Sequence, residues 1–256
     1  MSASSRPIGI LAAMPEEVRH LGQALSVDDK TVRGGYAFRQ GRLDGAPVVL
    51  VEAGIGKVNT SLAATLLLDH FGCRMALLTG VAGGLDPAVG IGDVVIADQL
   101  VQHDYGAVVD GEVKPYRPGV APVGEPRDPL AYSLDPPIRD LLHRQLDGFV
   151  LPALPAAAAG GTARQPAIRF GTILSGDQFI NCETTRQRLF KRFAAQAVEM
   201  EGAALAQVAE QFKVPCIDVR CVSDLAGADS HLDFAAFLPY AAESAAQVLR
   251  RIVPVL

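Results

Sequence analysis

The chain has 256 residues, of which 49% are hydrophobic and 20% charged, and its formal net charge is −5 at pH 7. A chain of this size and composition can bury a large core as one domain. Its lysines and arginines are scattered without a basic run or stripe, which argues against a nucleic-acid partner.

Cysteine usage and the N-terminal segment indicate the compartment. The four cysteines form no CxxC pair and have no metal-ligand spacing with the five histidines. Three of them lie in or beside apolar segments, which predicts buried free thiols in a reducing compartment. The first apolar run, 8–14, is too short for a signal peptide or a membrane span. We therefore expect a cytoplasmic protein with no membrane partner, metal or other cofactor.

The predicted elements alternate between strands and helices. Short apolar runs predict strands at 8–13, 36–43, 48–52, 75–79, 93–98, 168–174, 197–200 and 214–222. Helical spacing and start signals predict a helix beginning at Pro15 and others at 58–71, 138–146, 183–193, 202–212 and 234–252. Asp44-Gly45 predicts a hairpin turn. We expect one domain over 1–256, with an irregular excursion over 103–166 that includes a flexible loop at 152–166.

This alternation predicts an α/β fold with three layers, α/β/α, around a mostly parallel mixed sheet. In open α/β sheets, ligands bind beyond the carboxyl ends of the strands. Five predicted strand ends carry small, acidic or aromatic residues, at 13–14, a loop at 80–84, 175–180, 200–201 and 223–224. Their convergence predicts a binding site.

Charged residues inside apolar segments are the strongest candidates for that site, because burying a charge is costly unless the charge is paired. Arg220 lies within the predicted strand 214–222 and requires an acidic partner, such as Glu199 or Glu201. Two interpretations are open. The pair is a scaffold salt bridge, or Arg220 fixes the carboxylates of a site or holds a bound water.

Two further acids also have two interpretations. Asp224 follows Ser223 after an apolar strand, which suits a helix N-cap or a general acid with a raised pKa. Glu16 and Glu17 suit the first turn of a helix. Because neighbouring acids repel each other, one of them is expected to face the strand ends.

Glycine turns and aromatic residues complete the pattern. The turns at 54–56 and 80–84 lack the GxGxxG and Walker patterns, which favours tight turns over a phosphate cradle. Phe179 and Phe234 suit a core, or a platform that stacks on a flat heterocycle. His103 and His231 have no ligand spacing, so we assign no metal to them.

These segments together resemble the methylthioadenosine/S-adenosylhomocysteine nucleosidases of the purine nucleoside phosphorylase/uridine phosphorylase superfamily. The matching segments are 8–18 (IGILAAMPEEV), 54–58 (GIGKV), 79–85 (TGVAGGL), 92–95 (GDVV), 175–180 (SGDQFI), 198–202 (VEMEG) and 219–224 (VRCVSD). The resemblance implies a nucleoside phosphorylase-like fold and a homodimer. It also implies hydrolysis of the N-glycosidic bond of a 5′-thio-substituted adenosine to adenine and a thioribose.

The resemblance further implies a role for each candidate residue. Asp224 would protonate N7 of the leaving purine, and Glu17 would activate the attacking water, which Arg220 helps to place. The implied substrate-binding residues are Glu201, Met200, Glu199, Phe179, Ile180, Ser223, Phe234, Ile55, Val81, Ala82 and Gly83.

Two departures from the family pattern bear on specificity. Val81 stands where the family often has a serine that supports the water, and residues 103–106 with the Pro-rich stretch after them differ in the region that shapes the 5′ pocket and the dimer contact. The alternatives are a purine nucleoside phosphorylase that uses phosphate and a nucleoside-binding protein without turnover. Glu16, Glu17 and Val81 disfavour phosphate, and a complete set of acid, base and ribose carboxylate disfavours a protein without turnover.

Overall fold

The computed structural model describes residues 6–126, 129–154, 164–227 and 230–256. The strands are β1 (Ile8–Ala12), β2 (Ser26–Arg33), β3 (Tyr36–Leu43), β4 (Ala46–Glu52), β5 (Ala76–Gly84), β6 (Val94–Gln102), β7 (Gly106–Val109), β8 (Glu112–Pro115), β9 (Tyr132–Ser133), β10 (Ile168–Ser175), β11 (Ala197–Glu199) and β12 (Cys216–Asp224). The helices are α1 (Pro15–Ala24), α2 (Lys57–Asp69), α3 (Pro136–Leu146), α4 (Glu183–Phe193), α5 (Gly202–Phe212) and α6 (Ser230–Ile252), and a 3₁₀ turn follows at Val253–Val255.

Ten of the strands form one mixed sheet whose main path is β11-β10-β6-β12-β5-β1-β4-β3-β2. The centre is parallel, because β1 pairs in parallel with β4 and β5, and β5 pairs in parallel with β12. The short strand β11 pairs in parallel with β10 and antiparallel with β5. Strands β5, β12, β6, β10 and β11 therefore close into a ring, which we call the strand ring.

Helices cover both faces of the sheet, as strand periodicity requires. Ile8 and Ile10 of β1 pack with residues of α1, α3 and α6, whereas Leu11 packs on the opposite face with residues of α2 and α5. The predicted three-layer α/β/α architecture is confirmed. Among the described helices, none combines the length and the apolar character that a membrane span needs.

Several sequence predictions are confirmed closely. Helices α4 and α5 have the predicted bounds of 183–193 and 202–212. The hairpin β3–β4 turns at Asp44-Gly45, where both residues have positive φ and Leu43 pairs with Ala46. Helix α1 begins at Pro15, as predicted.

Three predictions about local structure are wrong or incomplete. Residues 80–84 are not a loop, because β5 continues through Gly84 and pairs there with β11. Strand β2 was not expected, and the excursion contains the hairpin β7–β8 and the strand β9 in addition to the expected helix α3. Within the predicted flexible loop, residues 155–163 lie outside the described residues.

Candidate active site

Strand ends of the sheet surround one cleft, and most of the side chains that line it are apolar. All the residues predicted for the site line this cleft: Glu17, Asp224, Arg220, Glu201, Met200, Glu199, Phe179, Ile180, Ser223, Phe234, Ile55, Val81, Ala82 and Gly83. Four further residues line it: Ala13, Met14 and Gln178, which belong to the strand ends predicted to converge, and Val198, which was not predicted.

Glu17 is buried and points back from α1 towards the ends of β1 and β5. Its Oε2 accepts hydrogen bonds from the amides of Ala13 (2.8 Å) and Met14 (3.0 Å), and its Oε1 accepts one from the amide of Val81 (3.0 Å). Burial raises the pKa of Glu17, against the opposing effects of Arg220 and of the three amides. Although Glu17 lies in the first turn of α1, its carboxyl therefore faces the cleft, and its raised pKa suits a general base.

Arg220 is buried in β12 and contacts acids on two strands. Its Nε donates to Asp218 Oδ1 (2.7 Å), and its Nη2 donates to Glu199 Oε2 (2.5 Å) and Glu201 Oε2 (3.4 Å). The two predicted glutamate partners are therefore present. Burial by itself lowers the pKa of Arg220, but the surrounding carboxylates outweigh burial and raise it.

Glu199 fixes the turn that carries the other cleft residues. Its Oε2 accepts hydrogen bonds from the amides of Glu201 (2.8 Å) and Gly202 (2.7 Å), and its Oε1 accepts one from the Ser175 hydroxyl. A carboxylate with donors on both oxygens is well compensated for burial. Glu199 thus holds the end of β11 and the start of α5 in one geometry.

Glu201 is held from the start of α2. Its Oε1 accepts a hydrogen bond from the amide of Gly56 (2.7 Å), where φ is +99°. The turn at 54–56 is therefore tight, as predicted, and its amide binds the protein's own carboxylate. Burial raises the pKa of Glu201 to about 7, and the nearby carboxylates add to this effect.

Asp224 is the last residue of β12, and it is buried. Its Oδ1 accepts a hydrogen bond from the amide of Ala226 (2.9 Å), and its Oδ2 accepts one from the Ser223 hydroxyl (3.0 Å). The N-cap interpretation is wrong, because α6 begins only at Ser230. The carboxyl instead borders the cleft.

Two aromatic rings border the cleft as well. Phe179 and Phe234 meet edge to face with 5.8 Å between ring centroids. Phe179 is 49% exposed, so the core interpretation is wrong for this residue. Phe234 is partly buried and packs against the core. An exposed ring beside a cleft offers a flat face to a planar ligand.

Sequence analysis missed three residues that shape this site. Asp218, which binds Arg220, was not singled out, nor was Ser175 as the partner of Glu199. Gly80 is the third, because a Cβ there would collide with Glu17 Oε1 and lie 2.7 Å from Arg220 Nη1. The signal for Asp218 was available, because residues i and i+2 of a strand lie on one face.

Metal binding has no support in the described part of the chain, where no group of three or more His, Cys, Asp and Glu side chains could hold an ion. His103 is buried, and its Nε2 would collide with a Cβ at position 176, which is glycine. The side chain of His231 lies outside the described residues.

Comparisons with known proteins agree with this geometry. The phosphorylase superfamily model matches residues 7–254. The 5′-methylthioadenosine/S-adenosylhomocysteine nucleosidase of Mycobacterium bovis is 49% identical over 249 residues, which are 97% of each chain. The Streptococcus pneumoniae nucleosidase of the same name, solved with a transition-state inhibitor, is 32% identical, with a TM-score of 0.79 over 96% of this chain and 98% of that one. Futalosine hydrolase of Helicobacter pylori is 30% identical, with a TM-score of 0.81 over 100% of both chains.

The fold, the acidic cleft and full-length similarity therefore agree, and the chain belongs to the 5′-methylthioadenosine/S-adenosylhomocysteine nucleosidase family of the phosphorylase superfamily.

Proposed function

We propose that this protein hydrolyses the N-glycosidic bond of 5′-methylthioadenosine, S-adenosylhomocysteine or a related 5′-modified adenosine, and releases adenine and the thioribose. The observation that carries the proposal is that Glu17 and Asp224 reach one cleft from different strand ends. Hydrolysis through an oxocarbenium-like state needs an acid for the leaving group and a base for water, on opposite sides of the sugar.

In this mechanism Asp224 donates a proton to N7 of the purine as the C–N bond breaks. Asp224 receives one hydrogen bond from Ser223 and one from a backbone amide, which hold its carboxyl in place. Phe179 stacks on the purine, and the Ile180 backbone contacts its amino edge.

Glu17 accepts a proton from the attacking water, whose oxygen forms the new bond to the sugar. Burial raises the pKa of Glu17, which makes its carboxylate a stronger base than an exposed one. Glu201 binds the ribose hydroxyls over Met200, and its charge stabilises the positive charge that develops on the sugar.

Val81 does not weaken this arrangement. The hydrogen bond from position 81 to Glu17 comes from the backbone amide, so it does not require a serine side chain. Arg220 Nη1 also lies near the carbonyl of Val81, at 3.4 Å. The base is therefore held by the main chain at this position.

Water is favoured over phosphate as the second substrate. Glu199 and Glu201 already pair with Arg220 and Glu17 is buried nearby, so a phosphate dianion would meet carboxylates and no unpaired cation among the described residues that line the cleft. The names of the similar nucleosidases agree with hydrolysis.

The test is adenine release from methylthioadenosine with and without phosphate. We expect equal rates and free thioribose as the product. Strict dependence on phosphate, with a sugar 1-phosphate as product, would assign the protein to the phosphorylases.

Specificity is tested by comparing catalytic efficiency on methylthioadenosine, S-adenosylhomocysteine, adenosine, inosine and futalosine. We expect the two thioadenosines to be cleaved with different efficiencies and inosine to be poor, because a 6-oxo purine presents an acceptor where the Ile180 backbone contacts a 6-amino group. Inosine as the best substrate would contradict the adenine assignment. Futalosine is included because a futalosine hydrolase has the same fold.

We also propose that the protein is a homodimer whose contact uses part of 103–136. Val108 and Val123 of this segment are each 75% exposed and Val109 is 49% exposed, so the segment itself carries apolar side chains that a dimer contact would cover. Solution scattering at micromolar concentration is expected to give the mass of a dimer. A monomer would contradict the proposal.

The state of the cysteines supports a proposed cytoplasmic location. Cys73 and Cys221 are buried, and all four cysteines are free thiols, which is the usual state in a reducing compartment. Cell fractionation is expected to recover the protein with cytoplasmic markers.

A further inference from the structure

Asp218 is a buried acid that the proposed reaction does not use. It has no exposed surface, and its Oδ1 accepts a hydrogen bond from Arg220 Nε at 2.7 Å. Its Oδ2 has no hydrogen-bond partner among the described residues. A buried polar atom without a partner is destabilising, so a purely structural position would be better filled by an apolar side chain.

The molecule leaves room for this carboxyl. Gly202 begins α5 directly after Glu201, and a Cβ at that position would collide with Asp218 Oδ2. The adjacent strand residues Ile217 and Val219 are apolar and fully buried. The acid therefore lies between two apolar neighbours on β12 and against the start of α5, which follows the cleft glutamates directly.

Asp218 and Arg220 are two residues apart on β12, so their side chains lie on the same face. Asp218 accepts the hydrogen bond from Nε–H of the guanidinium, and the Nη2 group donates to Glu199 and Glu201. A guanidinium is planar, so fixing Nε also fixes the directions of both Nη groups.

On the basis of the proposed hydrolysis, we propose that Asp218 is a positioning residue, which holds Arg220 by Nε so that its Nη groups stay aligned with Glu199, Glu201 and the neighbourhood of Glu17. Asp218 does not contact the nucleoside in this arrangement and does not line the cleft. It acts through Arg220, whose charge in turn acts on Glu17 and Glu201.

The charged and titratable groups that act on Asp218 are Arg220, Glu199 and Glu201, and Cys216 is a further titratable neighbour. Burial raises the pKa of Asp218 to about 8, against the opposing charge of Arg220. Below that pH the carboxyl is protonated, and its carbonyl oxygen still accepts the hydrogen bond from Arg220 Nε. Above it the carboxyl adds a negative charge beneath the cleft, which an asparagine cannot do.

The experiment compares Asp218→Ala, Asp218→Asn and the matched control Asp93→Ala, another fully buried aspartate bound to arginine. We expect Asp218→Ala to lower kcat by about 10- to 100-fold, the usual effect of removing a group that orients a functional residue. KM should change much less, because the loss falls on placement of the attacking water. Asp218→Asn keeps the acceptor and should retain most of kcat below pH 7, with an altered alkaline limb of the pH profile.

Three results would overturn the proposal: near-normal kcat in Asp218→Ala, an equal loss of kcat in a folded Asp93→Ala, or a folded Asp218→Asn as damaged as Asp218→Ala. If Asp218→Ala does not fold, Asp218→Val replaces it as an apolar residue suited to a strand. Wild-type protein without adenine release would instead contradict the proposed function. In that case a crystal structure of the alanine variant decides, because an unmoved Arg220 overturns the proposal and a displaced one supports it.

Discussion

Two buried acidic centres in this molecule are constructed in opposite ways. At Asp93, one carboxylate is bound by two arginines, Arg164 (2.8 Å) and Arg169 (3.1 Å). The amides of Gly90 and Ala167 bind the same carboxylate. Burial opposes ionisation, but these four partners outweigh it and lower the pKa of Asp93.

The centre at Arg220 has the reverse ratio, with four acidic side chains around one arginine, namely Asp218, Glu199, Glu201 and Glu17. Burial raises the pKa of Glu17, Glu201 and Asp218, and Arg220 only partly offsets it. The comparison teaches that the number of arginines per carboxylate distinguishes the two centres, because Glu199 accepts as many hydrogen bonds as Asp93 does. The Asp93 centre is satisfied and stabilises the fold, whereas the cleft retains the proton affinity that acid–base chemistry requires.

The largest effect is expected from removing Arg220, the one cation among the described residues that line the cleft. Arg220→Met leaves several buried carboxylates without a counter-charge, which costs about 3–5 kcal/mol in the free energy of unfolding. Arg169→Met is the matched variant at the other centre, and it should cost about 1 kcal/mol or less, because Asp93 keeps Arg164 and the side chain of Arg169 is 37% exposed. Urea denaturation measures both, and equal losses would contradict the comparison.

The next effect separates activity from stability. Asp224→Asn keeps the shape of the side chain but cannot deliver a proton, so kcat should fall by about 10²–10⁴-fold with little change in Tm. Asp93→Asn should do the opposite, lowering Tm and preserving kcat. An Asp224→Asn enzyme with nearly normal kcat would remove Asp224 from the role of general acid.

The two centres should also respond to pH in opposite directions. The folded-state pKa of Asp218, about 8, exceeds its ordinary value of 3.8, so its contribution to stability is complete below 3.8, falls progressively as pH rises, and is lost once pH has passed through about 8. The folded-state pKa of Asp93 lies below 3.8, so its contribution is present above 3.8 and is lost as pH falls through the folded value.

Thermal unfolding measured from acid to alkaline pH tests this difference. Asp218→Asn should reduce the fall of Tm between about pH 4 and pH 8, and Asp93→Asn should reduce the fall of Tm below pH 3.8. The same change of slope in both variants would show that the two carboxyls are not in opposite environments.

The smallest effect is expected at the residue that departs from the family pattern. Val81→Ser adds a hydroxyl beside a base that the backbone amide already holds. A gain or loss in kcat of less than about threefold is expected, which corresponds to less than about 1 kcal/mol. Steady-state kinetics with methylthioadenosine measures it, and a tenfold gain would show that placement of the water is incomplete without the hydroxyl.

Sequence patterns predicted the elements that have one buried face or a clear start signal. Helix α5 and the hairpin at Asp44-Gly45 are examples, because helical apolar spacing and a turn dipeptide are local signals. Strand β2 was missed because it is a largely exposed edge strand, so apolar alternation is absent. The end of β5 was missed because Gly83 and Gly84 read as a turn, and only their long-range pairing with β11 makes them strand residues.

The residues of the candidate site were predicted more completely than the elements of the fold, because charged residues within apolar strands are easy to recognise in a sequence. The glutamate partners of Arg220 were predicted from the free-energy cost of burying an unpaired charge, since a buried guanidinium requires acidic partners. Asp218 was missed because a single acid in an apolar run is usually interpreted as the point where a strand ends, and its partner Arg220 was assigned to the two glutamates instead. The N-cap interpretation of Asp224 was wrong because the start of α6 depends on residues further along the chain.

The strand ring determines at which stage the free-energy cost of assembling the acidic site arises. Strand β11 has only three residues, yet it has a neighbour on each side, so the carboxylates at its end have no free edge along which to shift. A rigid frame of this kind is preorganised, which means that the dipoles and charges need little reorganisation when the transition state forms. The free-energy cost of bringing these acids together is therefore met when the protein folds and not when the substrate binds. Adaptation to different 5′ substituents is left to the segments outside the ring.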